Sequence, residues 1–366
     1  MPDTSAGRVC DYYGSSEERL RPGLFLRFGL LPLAPFALSP ACLRSHALQR
    51  SVDSLNSDPL NPASVSRRKR SAAMQVGMTL PLMELNVDRA MLETWARAVD
   101  EGPFSSLCFG ERMAFDNPET MTLLGACAAW TERVQLKTTV IIAQLHNPVM
   151  LAKCLATGDM LSRGRLTVGL GIGGRIEDYV AVGADPATRN QADLAARVAI
   201  MKRVWAGEKV VDTLKPVGPA PCRPGGPELL AGAQGPKAVR AASAWADGLS
   251  GFSFDMNMES VAESFAQARA AWREAGRPAP KLTTAFWFAL EEDGGRAQMD
   301  RHLRHYFNWI EPAALEAMLP TTGFVGSLSE MGAVLKQLET LGTDEVHLIP
   351  TSDRVDQVAR IAGLIG

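Results

Sequence analysis

Four stretches of this 366-residue chain carry residue types and spacings that can do chemistry. Gly110-Glu111-Arg112-Met113 sets a carboxylate beside a guanidinium. That reads as a catalytic or anion-orienting pair, or as an exposed ion pair worth little. Gln144-Leu145-His146-Asn147-Pro148 holds one of only five histidines. Histidine changes charge nearest neutral pH, so His146 reads as a substrate donor or acid/base. It reads equally as a first-turn helix residue with a structural hydrogen bond. Gly169-Leu170-Gly171-Ile172-Gly173-Gly174-Arg175 superficially matches a dinucleotide-binding glycine fingerprint. No helical pattern opens directly after it, so that match is weak. Glycines do let a backbone approach a flat or anionic ligand, which is the favoured reading of Gly171 and Gly173 over a tight loop alone. Tyr179, an apolar lid or a phosphate donor, and Arg189 follow in the same connection. In Gly232-Ala233-Gln234-Gly235-Pro236-Lys237, a turn opens a helix at Pro236, and free N–H groups at a helix start suit an anion. Gly232, Gln234, Gly235 and Lys237 are therefore candidate anion contacts.

Other candidates read as structure. Asp159 and Arg165 make a structural pair around a turn glycine, Gly164. His302 and His305, at i and i+3 on one helical segment, read as a surface pair rather than metal ligands. Trp205, Trp287 and Trp309 line a pocket or, more often for such residues, belong to the core. There is no phosphate-binding GxxxxGK[ST], no HExxH, no GxSxG and no zinc-like Cys/His spacing. The six cysteines include no CxxC and read as reduced thiols or small buried hydrophobes.

These stretches need elements to hold them, and the elements alternate. Strands are expected at residues 76–80, 105–109, 134–142, 165–171, 228–231, 248–252, 281–290 and 345–349. Helices are expected at 88–99, 118–130, 148–161, 190–205, 237–246, 258–275, 328–341 and 355–365, with helical material over about 296–318. Eight strand–helix repeats predict a closed (β/α)₈ TIM barrel, an α/β fold whose chemistry sits in the loops after each strand. The 110–113, 144–148, 169–175 and 232–237 stretches all occupy such loops.

Composition fits a globular protein, with 46% hydrophobic and 21% charged residues, and excludes a wholly disordered chain, a collagen or a long coiled coil. The net charge of −2 is uneven. Residues 1–73 hold ten basic and six acidic side chains, a net +4, and the remainder carries −6. An acidic main part argues against nucleic-acid binding, despite Arg67-Arg68-Lys69-Arg70. The apolar stretch Gly23 to Leu38 is broken by Arg27, Pro32 and Pro35, too short to span a membrane and ill suited to a secretory signal. Residues 1–73 are expected to be a disordered or spurious N-terminal extension, and the functional barrel domain to run from Met74 to residue 366.

The motifs in order resemble a known family. They are Gly110-Glu111, His146-x-Pro148, Ala156-Thr-Gly-Asp159-x-Leu-Ser162-x-Gly164-Arg165 and Val168-Gly-Leu-Gly171-Ile-Gly173. Asp178-Tyr179-x-x-x-Gly183, Arg189, Trp205-x-Gly207, Gly232-x-x-Gly-Pro-Lys-Ala-x-Arg240 and Ala246-Asp247-Gly248 follow. This pattern resembles the luciferase-like monooxygenases, which include bacterial luciferase, alkanesulfonate monooxygenases and deazaflavin-dependent oxidoreductases. The resemblance covers about residues 74–366. It implies reduced FMN or the deazaflavin coenzyme F420 lying over the ends of strands two to four, and a cis peptide near Thr139-Val140-Ile141, with Thr139 and Val140 against the ring. It places the phosphate at 233–237, approached by Tyr179 and Arg189.

Two departures stand out. Many relatives have histidine after the acidic residue where this chain has Arg112, which stays charged and cannot shuttle a proton. Arg112 would instead steady an anionic flavin, a peroxide or an anionic substrate. Relatives also carry a serine in the phosphate turn, where this chain has Gln234-Gly235. The resulting expectation is an FMN-dependent monooxygenase acting with oxygen on a small organic substrate. Glu111, Arg112 and His146 would be catalytic, no metal would take part, and a reductase would supply reduced FMN. The alternatives are F420-dependent hydride transfer and a flavin-binding protein without chemistry. A cytoplasmic homo-oligomer with no membrane or nucleic-acid partner completes the expectation.

Overall fold

A computed structural model describes residues 73–366. The expected extension, its apolar stretch, the basic run at 67–70, Cys10 and Cys42 lie outside the described residues.

Among the described residues nine parallel strands form one sheet. They are β1 (Gln75–Thr79), β2 (Ser106–Phe109), β3 (Gln135–Ile142), β4 (Leu166–Gly171), β5 (Glu228–Ala231), β6 (Gly248–Ser250), β7 (Lys281–Leu290), β8 (Phe324–Gly326) and β9 (Glu345–Pro350). Neighbours pair in the order β1 through β7, then β9, and β9 returns to β1 with Gln75 opposite Glu345. That closes an eight-stranded barrel. The eight ring strands are the eight expected from sequence. The addition is β8, which pairs only with the far end of β7, Phe288 opposite Phe324, and stands outside the ring.

Helices α1 (Arg89–Glu101), α2 (Thr120–Trp130), α3 (Pro148–Leu161), α4 (Ile176–Ala181) and α5 (Gln191–Trp205) cover the first half. The second half carries α6 (Pro236–Ala242), α7 (Met258–Glu274), α8 (Gly295–Tyr306), α9 (Pro312–Met318), α10 (Leu328–Thr340) and α11 (Asp356–Ile365). Side chains at the helix starts supply the missing acceptors: Asp88, Asn147, Asn190 and Asn257 each cap a helix, and Ser327 forms a reciprocal capping box with Glu330. Leucine, valine and tryptophan on the inner helix faces, such as Trp95, Val198 and Trp272, pack on the outer strand faces as one core.

Three sequence expectations change here. The helical material over 296–318 is two helices, α8 and α9, parted at 307–311. A short helix, α4, does open after the glycine loop, although its six residues carry too little periodicity to show. Asp159 and Arg165 are both structural but do not pair. Asp159 accepts from the Cys222 amide at 2.7 Å, while Arg165 donates to the Thr131 and Val134 carbonyls at 2.7 and 2.8 Å. Gly164 is a left-handed turn residue at φ +80°, as expected.

The barrel interior is polar towards the strand starts. Lys137 of β3 and Glu345 of β9 pair although two strands separate them around the ring, so they meet across the inside. Lys281 and His347 approach the same carboxylate at 3.3 and 3.7 Å, and Ser106 donates to it at 2.6 Å. Burial raises the Glu345 carboxyl, but Lys137, His347 and Lys281 outweigh it and hold it well below the usual range. This cluster plugs the lower barrel and leaves the strand ends as the open mouth.

Candidate active site

A cavity of about 650 Å³ occupies that mouth, within the size range of small-molecule sites. Its floor comprises Thr79 at the end of β1, Gly110 after β2, Thr139 and Val140 within β3, Gly171 at the end of β4 and Gly232 after β5. The Thr139–Val140 peptide is cis, at the position the resemblance implied. A Cβ on Gly171 or Gly232 would lie 2.8 or 2.9 Å from the Val140 methyl groups. These glycines therefore line the cavity and also make room for Val140. Gly173, at φ +67°, lines it too, and there a Cβ would meet Ile142.

The three residues expected to be catalytic separate. Glu111 is buried and fully engaged: one carboxylate oxygen accepts from the Ile142 amide and the other meets His146 Nε2, both at 2.8 Å. Its amide donates to the Val140 carbonyl at 3.2 Å. Glu111 thus ties the loop after β2 to the residues of β3 that directly follow the cis bond. His146, the outer partner, lies outside the cavity lining, and the carbonyl of the same residue accepts from Arg197 at 2.8 Å.

Arg112 does line the cavity. Its Nη1 donates to the Tyr306 carbonyl at 3.0 Å, and its guanidinium lies 3.9 Å from the Phe115 ring centre. Its Nε is buried without a hydrogen-bond partner. Burial first, and the nearby Arg175 guanidinium second, push its pKa down to about 10, so it is charged at neutral pH. Arg175 has its own carboxylate, Asp178 on α4, at 3.0 Å. Asp178 also accepts from the Met113 and Ala114 amides at 2.9 and 3.0 Å. Burial raises its carboxyl, but the Ala114 amide, Arg175 and the Met113 amide together hold it low. The unexpected α4 therefore braces the loop that presents Arg112.

The residues expected at a phosphate divide in the same way. Gln234 lines the cavity. Gly235, at φ +78°, caps the seven-residue α6, and Lys237 is exposed; both lie outside the lining. Tyr179 is buried, donates its hydroxyl to the Ile172 carbonyl at 2.7 Å, and is pushed up to about 12 by burial. Arg189 donates to the Gly174 carbonyl at 3.0 Å. Both hold the glycine loop from behind and are outside the cavity lining.

Sequence reasoning missed one pair. His302 is not a surface residue: it is 3% exposed and lines the cavity. Its Nδ1 lies 2.6 Å from the Glu84 carboxylate, in the loop after β1, and its Nε2 is buried with no partner. Its ring stacks on Tyr306 at 6.1 Å between centres and 10° between planes. The available signal was the helical face rather than the spacing of two histidines. His302 shares the buried side of α8 with Gln298, Met299 and Leu303, whereas His305 falls off it and meets Phe115.

Aromatic rings close the cavity. Trp287 sits centrally, with Phe252, Tyr306 and Phe307 edge-on at 4.6, 5.3 and 5.6 Å. Trp309 adds an outer wall, while Trp205 belongs to the core and donates to the Ala152 carbonyl at 2.9 Å. Among the described residues no group of three or more His, Cys, Asp or Glu is placed to hold a metal ion, and no helix is long and apolar enough to cross a membrane.

The family model for luciferase-like monooxygenases matches residues 74–344. The chain belongs to that family. Similar curated proteins include an uncharacterised protein of Mycobacterium tuberculosis, 38% identical over 86 residues, or 24% of this chain and 30% of that one. An F420-dependent glucose-6-phosphate dehydrogenase of Kineococcus radiotolerans is 35% identical over 95 residues, 25% and 28% of the two chains. The chain thus spans about three-tenths of the length of these relatives. Among solved structures, a Streptomyces bottropensis monooxygenase matches with a TM-score of 0.66 at 20% identity, covering 80% of this chain and 97% of that one. An F420-dependent secondary alcohol dehydrogenase, in complex with an F420–acetone adduct, matches with 0.66 at 18%, covering 80% and 98%. The oxygenating constituent of 3,6-diketocamphane monooxygenase from Pseudomonas putida, in complex with FMN, matches with 0.60 at 16%, covering 80% and 95%. At these identities the structural likeness supports the barrel alone. The luciferase-like family comprises FMN- and F420-dependent oxidoreductases and monooxygenases.

Proposed function

We propose that this luciferase-like protein is an oxidoreductase that binds reduced FMN in the barrel-mouth cavity and acts with oxygen on a small organic substrate. The observation that carries this is a set of three polar atoms on cavity-lining residues. Thr79 Oγ1, Arg112 Nε and His302 Nε2 are all buried, and none has a hydrogen-bond partner among the described residues. Buried polar atoms are normally paired, so three on the residues of one cavity argue for polar ligands there. The residues present fit such a group. Thr79, Gly110, Thr139, Val140, Gly171 and Gly232 would hold its ring, and Gln234 its tail. The cofactor would supply the redox chemistry, and the protein position and electrostatics.

The chain's own residues have assignable tasks. Glu111 holds β3 at the cis peptide and so sets the floor. Trp287 and its aromatic neighbours exclude water from the reacting face. Glu84 Oε1 holds His302 by Nδ1 at 2.6 Å, and Nε2, on this cavity-lining residue, has no hydrogen-bond partner among the described residues and serves as the proton acceptor under this reading. A reductase would deliver reduced FMN under this reading.

The second reading is F420-dependent hydride transfer, and the Glu84–His302 pair favours it. Removing hydride from a carbon that bears a hydroxyl group requires a base to take the hydroxyl proton, and Nε2 is placed for that. The test is a titration of the full chain, without oxygen, with reduced FMN and separately with reduced F420. Saturable, preferential FMN binding supports the first reading and preferential F420 binding the second. A folded chain that binds neither contradicts both.

A further inference from the structure

The cavity has more positive charge than its walls neutralise. Besides His302, the acidic and basic residues lining it are Glu111, Arg112 and Arg175. Glu111 is spent on the Ile142 amide and His146, and Arg175 is matched by Asp178. Arg112 has no carboxylate partner within ion-pair distance among the described residues. It is 4% exposed, and its Nε has no acceptor. A guanidinium is costly to bury unpaired, and here its main company is aromatic: Phe115 at 3.9 Å and Tyr306 at 5.2 Å. Ring stacking offsets part of that cost without satisfying the N–H. The loop that carries Arg112 is fixed by Asp178, so the charge is held in place rather than free to swing into solvent. Beside it, Trp287, Phe252, Tyr306 and Trp309 form an aromatic sleeve suited to a flat apolar body.

We propose that this cavity takes a substrate joining a planar apolar body to an anionic group, a carboxylate being the simplest, with Arg112 receiving the anion. The substrate's body lies along the aromatic sleeve. The assignment names the substrate class of the oxidoreductase site above and rests on that reading for its catalytic meaning, but the binding itself does not depend on which cofactor is used. A cofactor oxyanion offers the same chemistry, and competition separates the two sources.

The test is equilibrium binding of benzoate and of its neutral counterpart benzamide to the full chain, read by tryptophan fluorescence from Trp287 and Trp309. Benzoate is expected to bind at least tenfold more tightly than benzamide, as a charge-assisted hydrogen bond to a desolvated guanidinium provides. Arg112→Met should remove that preference and leave benzamide affinity unchanged. Arg112→Lys, which keeps the charge and loses the fork and the stacking, should retain part of it. Benzoate should still bind when the preferred reduced cofactor is saturating. Equal affinity of the wild-type chain for the two probes overturns the proposal, even if Arg112→Met fails to fold. So does a benzoate preference that survives in a folded Arg112→Met. Mutual exclusion of benzoate and reduced cofactor assigns Arg112 to the cofactor and also overturns it. If neither cofactor binds yet benzoate does so through Arg112, the oxidoreductase reading fails and the anion site stands.

Discussion

The Glu111–His146 and Glu84–His302 pairs make nearly the same contact, 2.8 and 2.6 Å between a carboxylate oxygen and a ring nitrogen. Their surroundings differ. Glu111 spends its second oxygen on the Ile142 amide, and its histidine lies outside the cavity. In the other pair the histidine lines the cavity and holds a buried nitrogen with no partner among the described residues. A carboxylate–histidine pair is therefore not a functional signal by itself. What distinguishes bracing from chemistry is which atom is left over, and where it faces.

The contrast can be broken by mutation. The largest effect belongs to His302→Gln, which is expected to lower turnover by about 10²–10⁴-fold, the usual range for a general acid/base. Cofactor affinity should stay near wild type, and His146→Gln should cost less turnover. Steady-state rates with the cofactor that binds, beside its measured Kd, check this. A larger loss from His146→Gln would reverse the comparison. Next comes Glu111→Ala, which strands the Ile142 amide and the His146 ring. It should cost about 3 kcal/mol of stability and weaken cofactor binding through the displaced floor. Urea denaturation measures the first and titration the second; a stability loss without weaker binding would detach Glu111 from the site. Gly171→Ala follows, since its Cβ would meet Val140 at 2.8 Å. Overpacking there should cost about 1–2 kcal/mol in the same denaturation experiment, whereas full tolerance would mean Val140 moves freely.

The smallest effect is a pH dependence from His347 and Glu345 in the lower barrel. Burial lowers His347 below the ordinary histidine value. The unfolded chain therefore binds this proton more readily, and stability falls as pH drops through the unfolded value of about 6.5. Glu345 contributes in full above the unfolded carboxyl value of about 4.3, and its contribution is lost as pH falls towards its lower folded value. Thermal melts should therefore show a shallow loss beginning near pH 6.5 and a steeper one below about 4.3. His347→Gln should remove the shallow step and shrink the acidic one, since His347 is among the groups that hold Glu345 low.

The barrel was legible because apolar or β-branched runs such as Thr138–Ile142 alternate with helical patterns, so that even the three-residue β6 was read from its place in the repeat. Strand β8 was not, because Phe324–Gly326 is three residues that complete one edge of β7 rather than the ring. Helix α4 was hidden for a similar reason, and with it the Asp178 brace. Within the site, Glu111, Arg112, Gly171 and Gly232, singled out by their loop position after a strand, line the cavity. Loop position gave no information on direction, and so grouped Glu111 and His146 with Arg112. The Glu84–His302 pair joins residues 218 positions apart. No local spacing carries such a contact, and only the face of α8 hinted at half of it.

The most direct test of which pair faces the ligand is histidine-selective NMR on the full chain, with the five histidine signals assigned by single His→Gln variants. Reduced cofactor is added first, then benzoate. The structure predicts that the His302 signal moves on ligand addition while His146 stays in place. Movement of His146 with an unchanged His302 would contradict it and return the chemistry to the Glu111 side of the barrel.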